Sequence, residues 1–320
     1  GSVVAIDLAS GKQLWKTFVI PDAPVSRVKN KNGVEQYGPA GAGIWSSPTI
    51  DRQAGLLYVG TGDGYTDPAP ATSDAVVALD LKTGSLKWSR QLTPGDSWNY
   101  SCASPDRANC PAKPGDDLDI GSSPILRNVP GGKRLLLVGQ KSGVMHALDP
   151  DQQGEVVWQT RVGQGSAIGG IMWGSAADME TVYVPLSDLF VRKRVAPPGG
   201  LFALDIATGK LKWTTPAPKS ACIGKPGCSQ AQIAPATAIP GVVFSGSMDG
   251  HLRAYAALDG KIVWDFDTLR EFTTVNGVAA RGGSLSATGP TLYDGMMYAN
   301  SGYGTLAGMP GNVLLAFGVD

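Results

Sequence analysis

The chain has 320 residues, among them 43 Gly and 23 Pro, and 42% are hydrophobic; this suits a turn-dense all-β protein with an ample core and excludes a disordered one. Its 27 basic residues cancel its 27 acidic ones. With no basic stripe there is no electrostatic reason to bind nucleic acid, and no apolar run approaches the length of a membrane span.

The chain opens on two strand-like runs, Val3 to Leu8 and Gln13 to Val19. They belong to a phrase that starts at Ala5, turns at Gly11 and ends at Trp15. The phrase returns from Ala78 to Trp88, from Ala147 to Trp158 with one extra residue, from Ala203 to Trp213 and from Ala254 to Trp264. Each copy reads as a strand, a tight turn of the Asp-x-x-Thr-Gly kind, and a second strand carrying an indole. Glycine supplies the positive φ of the turn, and the ring is expected to dock on the neighbouring repeat. Short β-rich pairs precede the copies: Ser47 to Asp51 with Leu56 to Gly60, Ser123 to Leu126 with Leu135 to Val138, and Ala234 to Thr237 with Val242 to Ser245. The chain closes on Leu285 to Tyr293, Met296 to Asn300 and Val313 to Val319.

Strand repeats of this length predict an all-β fold, a β-propeller of four-stranded antiparallel blades with tryptophan-docking repeats. The expected layout is one partial propeller domain over residues 1–320. Residues 1–20 end a truncated blade, four complete blades run over about 44–268, and 283–320 supply three strands of a last one. Such a layout implies an open arc of a larger ring.

The four cysteines form two local pairs, Cys102 with Cys110 and Cys222 with Cys228, in Pro-, Gly- and Ser-rich loops. Neither spacing is Cys-x-x-Cys, and His146 and His251 lie far away in strand-like runs, so the spacing argues against zinc and against haem attachment. Two loop-clasping disulfides are the reading, with an oxidising compartment, periplasmic or secreted, to match. The alternative is four free loop thiols.

Function is expected in the less repetitive loops. Gly38 to Asp51 sets Trp45 behind a glycine run where a strand begins, and Gly60-Thr-Gly-Asp63-Gly puts a carboxylate among glycines. Asp116, Asp117 and Asp119 stand before another strand, and Lys141 sits in the turn after the next. The plainer readings are a core indole, a turn aspartate, a solvated acidic loop and an ordinary hairpin lysine. Likewise Arg192-Lys193-Arg194 reads as a solvated basic loop.

The Ala-to-Trp phrase resembles the repeat of quinoprotein dehydrogenases, eight-bladed propellers that hold pyrroloquinoline quinone and calcium. Gly-Ala-Gly-Ile-Trp45, Gly-Thr-Gly-Asp63, Asp117-Leu-Asp119 and Gln140-Lys141-Ser-Gly143 fall in the family's order. Gly139 to Asp149, Val157 to Gly163, Val243 to Tyr255 and Gly308 to Phe317 are similar to its polyvinyl alcohol dehydrogenase branch. The resemblance implies cofactor contacts from Trp45, Asp63, Lys141 and Trp173, and calcium ligation by Asp63 and Asp119. It implies catalytic roles for Asp119, as the base for the alcohol hydroxyl, and for Lys141, which would stabilise charge developing on the quinone. Electrons would pass to cytochrome c.

The family's Asn-Trp pair is here Met172-Trp173, and methionine offers no amide hydrogen bond. The family's glutamate calcium ligand, its vicinal cysteines, its earlier blades and any haem domain would precede Ser2. Two function classes follow: a secondary-alcohol dehydrogenase or large part of one, with missing N-terminal blades as its partner, and a non-catalytic propeller serving as a periplasmic protein-binding scaffold.

Overall fold

The structure is a computed structural model that describes residues 1–193, 195–303 and 308–319. Arg194, the last residue of the basic run, lies outside the described residues. The chain divides into two compact units. The first comprises Gly1–Asn128, Lys133–Lys141 and His146–Val157; the second comprises Val129–Gly132, Ser142–Met145 and the chain from Trp158 onward.

In the first unit β1 (Ser2–Ile6) and β2 (Gln13–Phe18) form a two-stranded sheet, and β3 (Val25–Lys29) and β4 (Glu35–Gly38) another. A four-stranded antiparallel sheet follows from β5 (Thr49–Asp51), β6 (Leu56–Gly60), β7 (Ala75–Asp80) and β8 (Leu86–Gln91), paired in chain order. Strands β9 (Ile125–Asn128), β10 (Arg134–Gly139), β11 (Val144–Asp149) and β12 (Glu155–Arg161) make a second such sheet, whose residues are shared between the two units.

The second unit holds two four-stranded sheets. One is β13 (Ala176–Ala177), β14 (Thr181–Pro185), β15 (Leu201–Asp205) and β16 (Leu211–Thr215). The other is β17 (Thr237–Ile239), β18 (Val242–Gly246), β19 (His251–Ala256) and β20 (Ile262–Asp267). A short hairpin, β21 (Glu271–Phe272) with β22 (Ala280–Arg281), precedes a three-stranded sheet of β23 (Thr291–Tyr293), β24 (Met296–Ser301) and β25 (Val313–Phe317).

The four-stranded, all-antiparallel pattern expected from the repeats is present. Three details differ. The hairpins β3–β4 and β21–β22 are additions that the repeat pattern does not encode. The strand expected over Leu285 to Tyr293 pairs only from Thr291, because Gly289-Pro290 interrupts it. Three first strands also begin later than expected, at Thr49, Ile125 and Thr237, since Pro48, Pro124 and Pro235 lie in the expected runs and proline donates no ladder hydrogen bond.

The repeated phrase has a packing explanation. In β7 the side chains alternate between two cores: Val76 and Ala78 join Tyr58, Ile120, Leu136 and Val138, while Ala75, Val77 and Leu79 join Val19, Leu57 and Val59. A strand buried on both faces must be apolar throughout, which accounts for Ala75-Val-Val-Ala-Leu79. The alanine of each phrase faces its tryptophan across the hairpin, as Ala5 faces Trp15, Ala78 Trp88, Ala203 Trp213 and Ala254 Trp264. In each of these hairpins the register shifts immediately after the alanine, and a small side chain leaves room for the indole there.

The first four of these rings each lie on the turn glycine of the next phrase, and the last, Trp264, packs on Phe266 and Phe317 instead. A Cβ on Gly84 would fall 2.5 Å from Trp15 Cε3, on Gly154 2.7 Å from Trp88 Cζ3, on Gly209 2.5 Å from Trp158 Cε3, and on Gly260 2.5 Å from Trp213 Cε3. Glycine is therefore required twice over, for its left-handed φ near +70° and for the face it leaves open. Hydrogen bonds lock the contact: the Trp158 and Trp213 indoles donate to the carbonyls of Ile206 and Ala257. Thr17, Thr160 and Thr215, each two residues after a tryptophan, donate to the carbonyls of Gly84, Gly209 and Gly260. Trp88 is the exception. Its indole N–H has no hydrogen-bond partner among the described residues, and Arg90 stands where the others have threonine. It docks on the one phrase lengthened by a residue, whose turn winds into a 3-10 segment, Pro150–Gln152.

Cys102–Cys110 and Cys222–Cys228 are disulfides, with Cα separations of 4.7 and 5.9 Å. No helix among the described residues is long and apolar enough to cross a membrane.

Gly209→Ala is expected to cost about 2–4 kcal/mol, combining left-handed strain with overpacking against Trp158. Gly11→Ala, at φ +68° with nothing within 4 Å, should cost only the strain, about 1–2 kcal/mol. Urea denaturation of the two variants checks this, and equal losses would show that the indole yields without cost.

Candidate active site

Four segments of the first unit are laced together by their backbones. Ala42 N–H donates to the Asp63 carbonyl and Gly62 N–H to the Gly43 carbonyl, both at 2.8 Å. Ile120 N–H donates to the Thr61 carbonyl and Lys141 N–H to the Asp119 carbonyl, both at 3.1 Å. This lacing sets Trp45, Asp63, Asp119 and Lys141 side by side although they span much of the unit's sequence.

Glycines permit the approach. A Cβ on Gly121 would lie 2.1 Å from the Trp45 ring, and one on Gly62 would lie 2.9 Å from Asp119 Oδ1. The Asp63 N–H donates to Asp119 Oδ1 at 2.7 Å. Lys141 Nζ donates to Asp119 Oδ2 at 2.7 Å and to Asp117 Oδ1 at 2.8 Å, and lies 5.4 Å from the centroid of Trp45. Trp45 itself is half-buried.

Asp63, Asp117 and Asp119 are 4%, 7% and 8% exposed, so they are not a solvated acidic loop; Asp116 alone fits that description. Each of the three offers a carboxylate oxygen within 4.8 Å of the others. Asp63 Oδ2 is buried without a hydrogen-bond partner among the described residues. An orphaned oxygen in a trio of hard oxygen donors fits a calcium ion.

Electrostatics agree. Burial, then the charges of Asp119 and Asp117, raises Asp63 above the ordinary carboxylate range. Burial also raises Asp117, against the pull of Lys141. Burial opposes the charge of Lys141 as well, but Asp119 and Asp117 outweigh it and hold the ammonium charged. One ammonium among three carboxylates leaves negative charge that a hard cation would balance.

Two further acids escaped the reading of the sequence. Asp96, 3% exposed, receives the backbone N–H groups of Leu118 at 2.7 Å and Asp117 at 3.3 Å. Its place in Thr93-Pro-Gly-Asp96 looks like an ordinary turn. Asp74 is fully buried at φ +47°, and neither carboxylate oxygen has a partner among the described residues. No motif marks it. Trp173 belongs to the second unit, in the loop before β13; it is half-buried beside the buried Met172.

Comparison with known proteins identifies the class. The sequence model described as "Glucose/ethanol/alcohol dehydrogenase, beta-propeller domain" matches residues 1–111. The related repeat model described as "Outer membrane protein assembly factor BamB" matches residues 140–308. The chain belongs to the pyrroloquinoline-quinone β-propeller family of quinoprotein alcohol dehydrogenases.

Among individual proteins it is 46% identical to polyvinylalcohol dehydrogenase of a Pseudomonas species, over all of this chain and 51% of that protein. It is 42% identical to the Sphingopyxis polyvinylalcohol dehydrogenase, again over all of this chain and 51% of the relative. The chain thus spans about half the length of the curated relatives it matches. The solved quinohemoprotein alcohol dehydrogenase of Comamonas testosteroni shares the fold, with TM-score 0.64 at 19% identity, over 97% of this chain and 55% of that one.

Asp74 generates a pH prediction. Burial, then the charges of Asp96 and Asp119, pushes its carboxyl up to about 9, so the folded chain keeps a proton that the unfolded chain releases near pH ~4. The folded state binds more protons across that window, and stability falls as pH rises from about 4 to 9. Asp74→Asn keeps the neutral shape and tolerates a left-handed φ. In cation-free protein it should gain on the order of a few kcal/mol at pH 8 and little at pH 4. Urea midpoints at the two pH values measure this; an equal change at both would mean Asp74 is ionised in the fold.

Proposed function

We propose that this chain carries the reaction centre of a quinoprotein dehydrogenase that oxidises secondary alcohols, the hydroxyls of polyvinyl alcohol among them, in the periplasm or outside the cell. The observation that carries this reading is the buried trio Asp63, Asp117 and Asp119 around Lys141, with the Trp45 ring alongside. A scaffold has no use for buried like charges, which cost stability unless they bind something.

Bound pyrroloquinoline quinone would supply the two-electron oxidant, and calcium would supply Lewis acidity. Asp63 and Asp119 would hold the cation. Trp45 offers a flat π-face on which a planar cofactor can stack, and Trp173 is assigned a cofactor contact on the strength of the family likeness. Asp119 is the base of this reading. One carboxylate oxygen is engaged by Lys141 and the other by the Asp63 N–H, which fixes its orientation, and in this role it would accept the hydroxyl proton of an alcohol. Lys141 would supply a fixed positive charge to balance negative charge that develops on the quinone, in a buried setting where it acts strongly. The quinohemoprotein relatives support a cytochrome as the electron acceptor, and the two disulfides support an oxidising compartment.

The repeat match over residues 140–308 favours a second reading, a protein-binding scaffold, for that stretch of the chain. The acid cluster lies largely outside it.

With pyrroloquinoline quinone and calcium added, Asp119→Asn should lower turnover of a secondary alcohol by about 10²–10⁴-fold. Quinone binding, read from tryptophan quenching, should change little. Equal turnover in both proteins would overturn the base. Absence of quinone binding by the unsubstituted chain would overturn the cofactor reading and favour the scaffold.

A further inference from the structure

Asp96 touches both halves of the acid cluster. Its backbone carbonyl accepts the Gly64 N–H at 3.0 Å, next to Asp63, and Ser97 bridges Gly64 in parallel fashion. Its carboxylate accepts the N–H groups of Asp117 and Leu118, one on each oxygen. The loop it grips is under strain, since Asp117 sits at φ +60°. Gly115 packs so closely that a Cβ there would lie 1.8 Å from Asp96 Oδ1, and its own N–H donates to the Ser97 carbonyl at 2.9 Å.

These contacts have one consequence. The segment from Asp117 to Asp119 crosses the site with two carboxylates on Lys141, and it is anchored by Asp96 and Lys141 and by the Asp63 N–H on Asp119 Oδ1. Lys141 holds the segment by charge at its functional end. Asp96 holds it by the backbone, from behind, while its own main chain is tied to the neighbour of Asp63. The Asp63 N–H and the Ile120–Thr61 backbone bond fix the Asp119 end of the segment, and the Asp96 carboxylate fixes the Asp117–Leu118 end.

We propose that Asp96 is a positioning residue of the cation site: it keeps Asp117 and Asp119 in register with Asp63 and thereby sets the affinity of the trio for a hard cation. The proposal rests on the cation-binding reading above. It assigns Asp96 no contact with the cation or the substrate. Asparagine at this position would keep the size but offer one acceptor where two N–H groups need one each, and would turn an NH₂ toward the other.

The test is a terbium(III) titration of the chain, with terbium as a luminescent stand-in for a hard cation and Trp45 as its antenna. Asp96→Asn should weaken terbium binding roughly tenfold to a hundredfold, the usual effect of removing a partner behind the ligands. It should also shorten the emission lifetime in H₂O relative to D₂O, because water replaces a displaced carboxylate oxygen. Gly209→Ala, which loosens a tryptophan dock in the second unit, should lower stability while leaving affinity and lifetime unchanged. Unaltered affinity and lifetime in Asp96→Asn would overturn the positioning role alone. Loss of affinity in both variants alike would reduce the effect of Asp96 to general destabilisation and also overturn it. Failure of the unsubstituted chain to bind terbium would overturn the cation reading itself, and this proposal with it.

Discussion

The seating of four of the five repeat indoles, each on the turn glycine of the next phrase, is the contact on which everything else in this fold depends. It joins one sheet to the next at a point where neither could be changed alone: the glycine needs the ring to cover it, and the ring needs the missing Cβ. The same contact fixes the alanine opposite the ring, the register shift that follows it, and the threonine two residues on. A pattern read every fifty to seventy residues in the sequence is thus one packing event repeated. Trp88 shows the limit of the device, because an extra residue in the turn beneath it leaves the ring seated and its N–H without a partner. An unsatisfied buried donor costs about 1–3 kcal/mol, so the docking geometry outweighs the hydrogen bond that accompanies it at Trp158 and Trp213.

That rigid frame makes the acid cluster tolerable. Three buried carboxylates beside one ammonium would drive a softer structure apart, since desolvation and mutual repulsion act in the same direction. Here the backbone lacing from Ala42 through Gly62 and Ile120 to Lys141 holds the groups where the sheets put them. The cation-free chain relieves the charge by raising the affinity of Asp63, Asp74 and Asp117 for protons. On the cation-binding reading, Asp63 and Asp117 would release those protons as the cation entered.

The repeats were legible because docking imposes a local pattern: alanine, turn, tryptophan within a dozen residues. Trp45, Asp63, Asp119 and Lys141 were legible as candidates because unusual glycine runs flank them, and glycines crowd wherever backbones must come close. The family likeness supplied the roles that residue type alone left open. Other features had no local signature. Asp96 sits in a run that reads as a plain turn, and its importance comes from two N–H groups more than twenty residues away. Asp74 is exceptional only for what does not surround it. The hairpins β3–β4 and β21–β22 carry neither the alanine nor the tryptophan, so the rule that revealed the sheets was silent about them.

Asp188 shows that the Asp96 arrangement is a solution the fold uses more than once. In the second unit it too is buried, and its carboxylate accepts the N–H groups of Gln164, Gly165 and Gly170. The loop it gathers runs directly into Met172 and Trp173. A carboxylate is well suited to this work, since two oxygens with four lone pairs can satisfy several converging N–H donors that no sheet ladder reaches. In one unit such a carboxylate steadies a loop of acids, and in the other a loop that presents an indole. The blades supply stiffness, and single buried aspartates turn that stiffness into fixed loop positions.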